Sequence, residues 1–428
     1  MKLRILLWST ISVLVLGIAA GAYWWFFRPQ IMLLDDGSQL TLLGVTYGKH
    51  HTCPVTKVDG HKILHMGKLN TTNDSLCVWL DQKHDQNNWP NYQLLAFDAD
   101  DTACSGSQMR TQGGFSGNNR KEQVVGFVFE AFPRHGSKIY IRAQQWNQHN
   151  GQQDIIPTSF VIRNPAPRSG FPKWTPDTLP ITQENDDLKV TLTRFEIEKN
   201  TFNRGGPATK SNDPMNNGVL TAFRTEQNGA VVTNWQPVSI ETSDATGNQA
   251  KNRGWSNRKE GDEDVMVYQW GLWPDEPAWK LRVEMSRQSG FTANETWMVP
   301  DVPVKPGDIN SMWNPNQRGK PFTETTLGES HVKIYPAIQL SSEQARNYGG
   351  FMEGIVQISV DPPPDGMRMA FIKVTDDQGR PIEFNNWASG GGDFRFSLKK
   401  LADVKTINIT LALHRSRYFE FTVKPPKK

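Results

Sequence analysis

An all-β chain of repeated antiparallel units, set behind one membrane-spanning segment, is what this sequence predicts, on three observations. Gly (35), Pro (27) and Trp (15) are plentiful among 428 residues, a mixture suited to turns and pleated surfaces and poorly suited to long helices. Period-two alternation of apolar and polar residues recurs along the chain in one order of elements, three times over. Near the N-terminus, residues 5–27 (ILLWSTISVLVLGIAAGAYWWFF) carry no formal charge. Lys plus Arg is 47 and Asp plus Glu is 44, a net charge of +3 with no long run of one sign, which argues against a nucleic-acid partner.

The uncharged run has 23 residues, enough at helical rise to cross a hydrocarbon core of about 30 Å. Lys2 and Arg4 precede it, so the positive-inside rule places the N-terminus in the cytoplasm and the bulk of the chain outside it. Ala20-Gly21-Ala22 also fits the small-x-small site of a cleaved signal peptide, which is the rival reading. Tyr23, Trp24, Trp25, Phe26 and Phe27 continue the apolar run as an aromatic belt would, and they favour an uncleaved anchor over residues 1–30. Cysteine usage is thin, with Cys53, Cys77 and Cys104 and no CxxC pair. An oxidising compartment permits one disulfide among three pairings, and the loop-like surroundings of Cys53 and Cys104 favour that pair.

Each repeat opens with a long alternating strand: QLTLLGVTY (39–47), LKVTLTRFEIE (188–198) and HVKIYPAIQL (331–340). In the first two the apolar phase slips by one residue midway, which predicts a bulge where the strand passes from one sheet to the other. A second strand follows (76–80, 219–225, 355–360), then a third that runs into an acidic turn: LLAFDADD (94–101), VSIETSDATG (238–247) and FIKVTDDQG (371–379). Asp and Gly in those turns supply side-chain caps and positive φ. A small aromatic motif comes next (114–116, 254–256, 386–388), then a paired-aromatic strand (Phe127 and Phe129; Tyr268 and Trp270; Phe394 and Phe396). The last long strand alternates strictly, as in Trp279, Leu281, Val283 and Met285, and a short strand ending in proline closes each repeat (Pro165, Pro303, Pro425).

About seven short strands with one wet face is the count of an immunoglobulin-like sandwich, at a size suited to one core each. The predicted layout is sandwich 1 over 31–168, a Pro-rich linker over 169–184, a Trp-rich sandwich 2 over 185–304, a second linker over 305–327, and sandwich 3 over 328–428. Proline spacing makes both linkers extended and semi-rigid.

Candidate chemistry is sparse. His50, His51, Cys53, His61, His65 and Cys77 lie within 28 residues, but His61 and His65 on a strand stand about 13 Å apart, too far to share one ion. Asp98, Asp100 and Asp101 lack the Gly and Glu of a calcium loop. No nucleophile elbow, P-loop, dinucleotide fingerprint, HExxH or CxxC is present. No metal or other cofactor is expected, and the chain reads as non-enzymatic. Six tryptophans crowd the middle unit, and core packing accounts for most of them. Trp273, in a turn between two prolines, with Trp255 and Trp270 nearby, is the candidate for an exposed ligand-binding platform.

Two segments, GVTYGKHH (44–51) and WGLWPDEPAWKLRVEMSR (270–287), together with the anchor, resemble uncharacterised bacterial exported proteins. That resemblance implies an envelope location and no activity. The functional expectation is an anchored envelope protein that binds or spaces a protein or glycan partner. The alternative is an envelope hydrolase with a carboxylate site near the Trp-rich unit.

Overall fold

The computed structural model describes residues 29–425 apart from 59–60, 65–66, 85–91, 101–102, 105–107, 116–121, 147–152, 168, 199–217, 253, 270–271, 274, 309–318, 348–351, 362–366, 391, 400 and 402. It is nearly all β: 62% is strand and 3% helix, in sheets paired antiparallel except at one short contact. Helix among the described residues is limited to Ser342–Asn347 and a 3-10 turn at Ala293–Glu295. No helix among them is long and apolar enough to cross a membrane. The predicted span, residues 5–27, lies outside the described residues.

One pairing order occurs three times. In the first region Ile31–Leu33, Gln39–His51, Leu69–Lys83, Glu122–Phe129 and Gln108–Phe115 are neighbours in that sequence. In the second the same places are taken by Ile181–Asn185, Leu188–Glu198, Gly218–Gln227, Glu263–Gln269 and Gly254–Glu260. In the third they are taken by Thr323–Leu327, Ser330–Ile334, Gly354–Asp361, Asp393–Leu398 and Phe384–Gly390. A second layer is centred each time on the strictly alternating strand: Lys138–Trp146 and Trp279–Arg287 in separate sheets, and Thr406–Arg415 in a layer continuous with the first through the Val304–Pro306 pairing. Side chains of both layers meet in one apolar core per region. The inward set of each alternating strand is sealed, with Ile139, Trp279, Leu281, Ile407 and Ile409 all at or below 1% exposure.

The phase slips are bulges, at Leu42/Gly44 and Leu192/Arg194. They do not carry the strand to another sheet, because pairing with Leu69–Lys83 and with Gly218–Gln227 continues through them. The inserted residue cancels the change of phase. Leu40 and Leu42 before the bulge and Val45 and Tyr47 after it all pack on the same core. The acidic turns are capped as their composition predicts. Asp98 Oδ1 accepts from the Asp100 N–H (3.0 Å), Asp244 Oδ1 from those of Thr246 (2.9 Å) and Asn248 (3.1 Å), and Asp376 Oδ1 from those of Gln378 (3.0 Å) and Arg380 (2.7 Å). Gly247 and Gly379 take the positive φ of these reversals, at 94° and 79°.

The expected boundaries between the second and third units do not hold. Thr296–Pro306, read as the closing strand of the middle unit, pairs instead with Thr406–Arg415, and its Val299 and Val302 lie in the third core. Arg417–Val423, read as the closing strand of the third unit, pairs with Trp279–Arg287, and its Phe419, Phe421 and Val423 lie in the second core. The two units have traded last strands. The cause is geometric: Ser416 alone separates Thr406–Arg415 from Arg417–Val423, so that segment runs on from one core into the other. Together 279–306 and 406–423 make one antiparallel ribbon through both cores. In the first region the closing strand, Phe160–Arg163, stays at home beside Lys138–Trp146.

The stretches read as linkers are also partly structured. Ile181–Asn185 is a strand, the Asp177 N–H bonds Thr422 O (2.9 Å), and the Lys280 ammonium sits 5.0 Å from the Trp174 ring centroid. Val304–Pro306 pairs in parallel with Ala337–Gln339.

Phe421→Ala, six residues beyond the third core's last strand, is expected to destabilise the second core by about 3–5 kcal/mol. Urea denaturation followed by tryptophan emission checks this. A mutant in which only the third core loosens contradicts the exchange.

Candidate functional site: the joint between the first and second cores

A buried polar cluster between the first and second cores is built by a loop and a turn. The loop, residues 130–137, follows Glu122–Phe129 of the first region, and its Ala131 packs into the second core. The turn is the acidic one after Trp235–Asp244. Arg134 is 4% exposed and engages all three nitrogens of its planar fork. Nε donates to Asn248 Oδ1 (2.8 Å), Nη1 to the Tyr47 hydroxyl (3.1 Å), and Nη2 to the Asp74 carbonyl (2.7 Å) and the Gly247 carbonyl (3.4 Å). The guanidinium also lies 4.5 Å from the Phe132 ring centroid. Burial lowers its pKa, while Tyr47 and Asp244 oppose that shift.

The turn is shaped to receive this loop. Asn248 Oδ1 accepts from the Phe132 N–H (3.1 Å) as well as from Arg134, and Asn248 Nδ2 donates to Asp244 Oδ2 (2.9 Å). Thr246 Oγ1 donates to Asp244 Oδ1 (2.6 Å). On the first region's side, Asn164 Nδ2 holds the loop by the carbonyls of Pro133 (2.8 Å), Arg134 (3.0 Å) and Gly136 (2.7 Å). Asn73 Nδ2 reaches across to Gln249 Oε1 (2.7 Å).

At the rim, His135 Nε2 and Glu276 Oε1 are 2.7 Å apart, with Glu276 4% and His135 53% exposed at the side chain. Burial pushes the Glu276 carboxyl up from its ordinary value, the Asp244 charge adds to the shift, and His135 opposes it. Two carboxylates and an imidazole converge here, as acid–base chemistry requires. Asp244 is nevertheless saturated by bonds within its own turn, and Glu276 faces His135 from a covered position. The arrangement fastens two cores together.

Trp273, expected as an exposed platform, is 4% exposed and packs in the second core. Its turn folds inward over the end of the core, where the Trp273 carbonyl accepts from Trp279 Nε1 (3.2 Å). Trp270 and the side chain of Trp255 lie outside the described residues. The Cys53–Cys104 disulfide is not formed: Cys53 is a free thiol. Cys53 packs with Cys77 and Trp79 on the outer face of the first sheet, whereas Ala103–Cys104 pairs with Ala96–Phe97 in the opposite sheet. The first core lies between them. Burial raises the pKa of the Cys53 thiol and pushes the Cys77 thiol up to about 12, so neither is a ready nucleophile.

Of the histidine cluster, His50 Nδ1 meets Asn70 Oδ1 (2.9 Å), and His65 lies outside the described residues. His51 Nδ1 meets Thr46 Oγ1 (3.0 Å) and its Nε2 meets Ser75 Oγ (2.8 Å). This resembles a nucleophile–base pair, but Ser75 and His51 are each 0% exposed, beyond the reach of a substrate. Among the described residues no group of three or more His, Cys, Asp or Glu side chains could hold a metal ion. A shallow depression of about 80 Å³ beside Lys259 and Asp264 is far below the size of a typical ligand pocket. The sequence missed Arg134, because a lone Arg after Phe-Pro carries no pattern. Asp244 was visible only as a turn cap.

Arg134→Ala is expected to cost about 3 kcal/mol, since charge-assisted bonds are lost and Asp74 and Gly247 carbonyls are left buried. Arg134→Lys should not restore the loss, because an ammonium cannot match the fork. Chemical denaturation of both variants measures this. The raised Glu276 pKa means the folded chain holds that proton to higher pH than the unfolded chain. Stability therefore falls as pH rises from about 4.5 through the folded value. Glu276→Gln should flatten that part of the stability–pH curve, as thermal melts across the range will show.

No family model and no curated protein matches this chain. Among solved structures it is similar to a conserved domain protein from Bacillus anthracis, at 10% identity and a TM-score of 0.22, over 63% of this chain and 81% of that one.

Proposed function

We propose that this chain is a non-enzymatic, single-pass envelope protein. Residues 5–27 anchor it with the N-terminus in the cytoplasm, and the rest forms three immunoglobulin-like sandwiches outside the cytoplasm that hold a protein or glycan partner at a set distance. The observation that carries this reading is the interlocking of the units. A buried Arg134 joint ties the first core to the second, and the exchanged strands tie the second to the third. Polar side chains that a hydrolase would use at the Trp-rich unit are engaged in that joint: Asp244 caps its turn and Glu276 meets His135. Linked cores of this kind serve to transmit position and load, and flexible linkers between them would defeat that use.

The test is fractionation of the full chain expressed in a Gram-negative host. It is expected to stay with membranes through alkaline carbonate extraction, and its body should be digested by protease added outside spheroplasts. A chain recovered in the soluble fraction, or protected from that protease, overturns the reading.

A further inference from the structure

The chain enters its first sheet already tied down. The Gln30 carboxamide bonds both backbone groups of Val161, donating from Nε2 to the carbonyl (3.1 Å) and accepting at Oε1 from the N–H (2.7 Å). The Gln30 carbonyl also accepts from the Leu42 N–H (3.0 Å). Gln30 thus acts as one more rung on the open edge of Phe160–Arg163. Between Phe27, the last residue of the uncharged run, and this fixed point stand Arg28 and Pro29. Four residue steps from Phe27 to Ile31 reach at most about 14 Å.

Three of the seven exposed large apolar side chains among the described residues are at the entry. Ile31 is 47% and Leu33 64% exposed, on one face of a strand whose Met32 is buried, and Val161, bonded to Gln30, is 40% exposed. Val161 and Arg163 face outward from the opposite sheet of the unit, so Ile31 and Leu33 form the apolar face here. Exposed apolar side chains next to the end of a spanning segment suit the boundary between acyl chains and headgroups, where they are covered.

We infer that the bilayer holding residues 5–27 also takes Ile31 and Leu33 into its outer interface, so the first unit lies against the lipid surface. This rests on the anchor reading above. Its occupant is lipid because the short tether keeps Ile31 within about 14 Å of the end of the span, closer than a globular partner could fit between.

The experiment uses the full chain in vesicles of phosphatidylethanolamine and phosphatidylglycerol, with Cys53→Ser and Cys104→Ser removing two native thiols and Cys77 sealed in the fold. A nitroxide is placed at Leu33→Cys, at Ile31→Cys on the same face, or at Met298→Cys, which is 70% exposed in the third region. Relaxation by lipid-soluble oxygen is compared with relaxation by a water-soluble nickel chelate, and thermal melts confirm that each variant is folded. The expected oxygen-to-nickel ratio at 31 and 33 is severalfold that at 298. Equal ratios in chains that float with the vesicles overturn the seating and leave the anchor standing. A label at 33 shielded from both agents indicates cover by protein and also overturns it. Chains that do not float with the vesicles overturn the anchor and the seating together.

Discussion

The antiparallel ribbon formed by residues 279–306 and 406–423 is the constraint on which the far half of the molecule depends. At one end it supplies Trp279, Leu281, Val283, Phe419 and Phe421 to the second core, and at the other Val299, Val302, Ile407 and Ile409 to the third. Its backbone bonds cross the boundary on two covalent strands at once, so neither core can open fully without fraying the other. Where it crosses, Ser286 Oγ meets His414 Nε2 (3.1 Å), Arg287 bonds Glu295, and Arg417 bonds Asp187 Oδ1 (2.5 Å) while lying 5.1 Å from the Trp235 ring centroid. Burial lowers the His414 pKa, so the crossing is suited to a neutral imidazole and loses stability as pH falls below 6.5 through the folded value.

The other boundary is solved by different physics. Arg134 is a buried cation whose direct partners are an amide, a phenol and two carbonyls, with no carboxylate among its hydrogen bonds. Such an arrangement gains little net stability over a packed apolar joint, because desolvating the guanidinium is costly. Its value lies in directionality: five donors in a plane accept one relative placement of loop and turn, where apolar surfaces would tolerate sliding. The first two cores are thus aligned by hydrogen-bond geometry, and the last two by shared backbone.

Much of this was legible in residue order, and its gaps have physical causes. Alternation in Trp279, Leu281, Val283 and Met285 reports the buried face directly, and the turn caps at Asp98, Asp244 and Asp376 follow from local side-chain reach. The phase slip between Leu42 and Val45 located a bulge, but periodicity alone does not say whether the extra residue changes the buried face or preserves it. Partner choice was invisible. Thr296–Pro306 and Arg417–Val423 look like closing strands wherever they pair, since alternation encodes a face and carries no address. Trp273 illustrates the same limit: a tryptophan between prolines has the composition of a surface turn, and only the inward fold of that turn buries it. The Arg134 joint depends on residues more than a hundred positions apart, with no spacing rule to join them.

The exchange of final strands sets a timetable for biogenesis. As the chain emerges in order from its N-terminus, the first region can close once Arg163 is out, because its last strand is local. The second cannot. It must wait, one edge bare and Trp279 and Leu281 uncovered, while more than a hundred residues of the third are made, until Val423 arrives to seat beside Trp279. An unfinished sheet edge of that kind invites pairing with other chains, so the middle region is the one most open to wrong pairing while the third is being made.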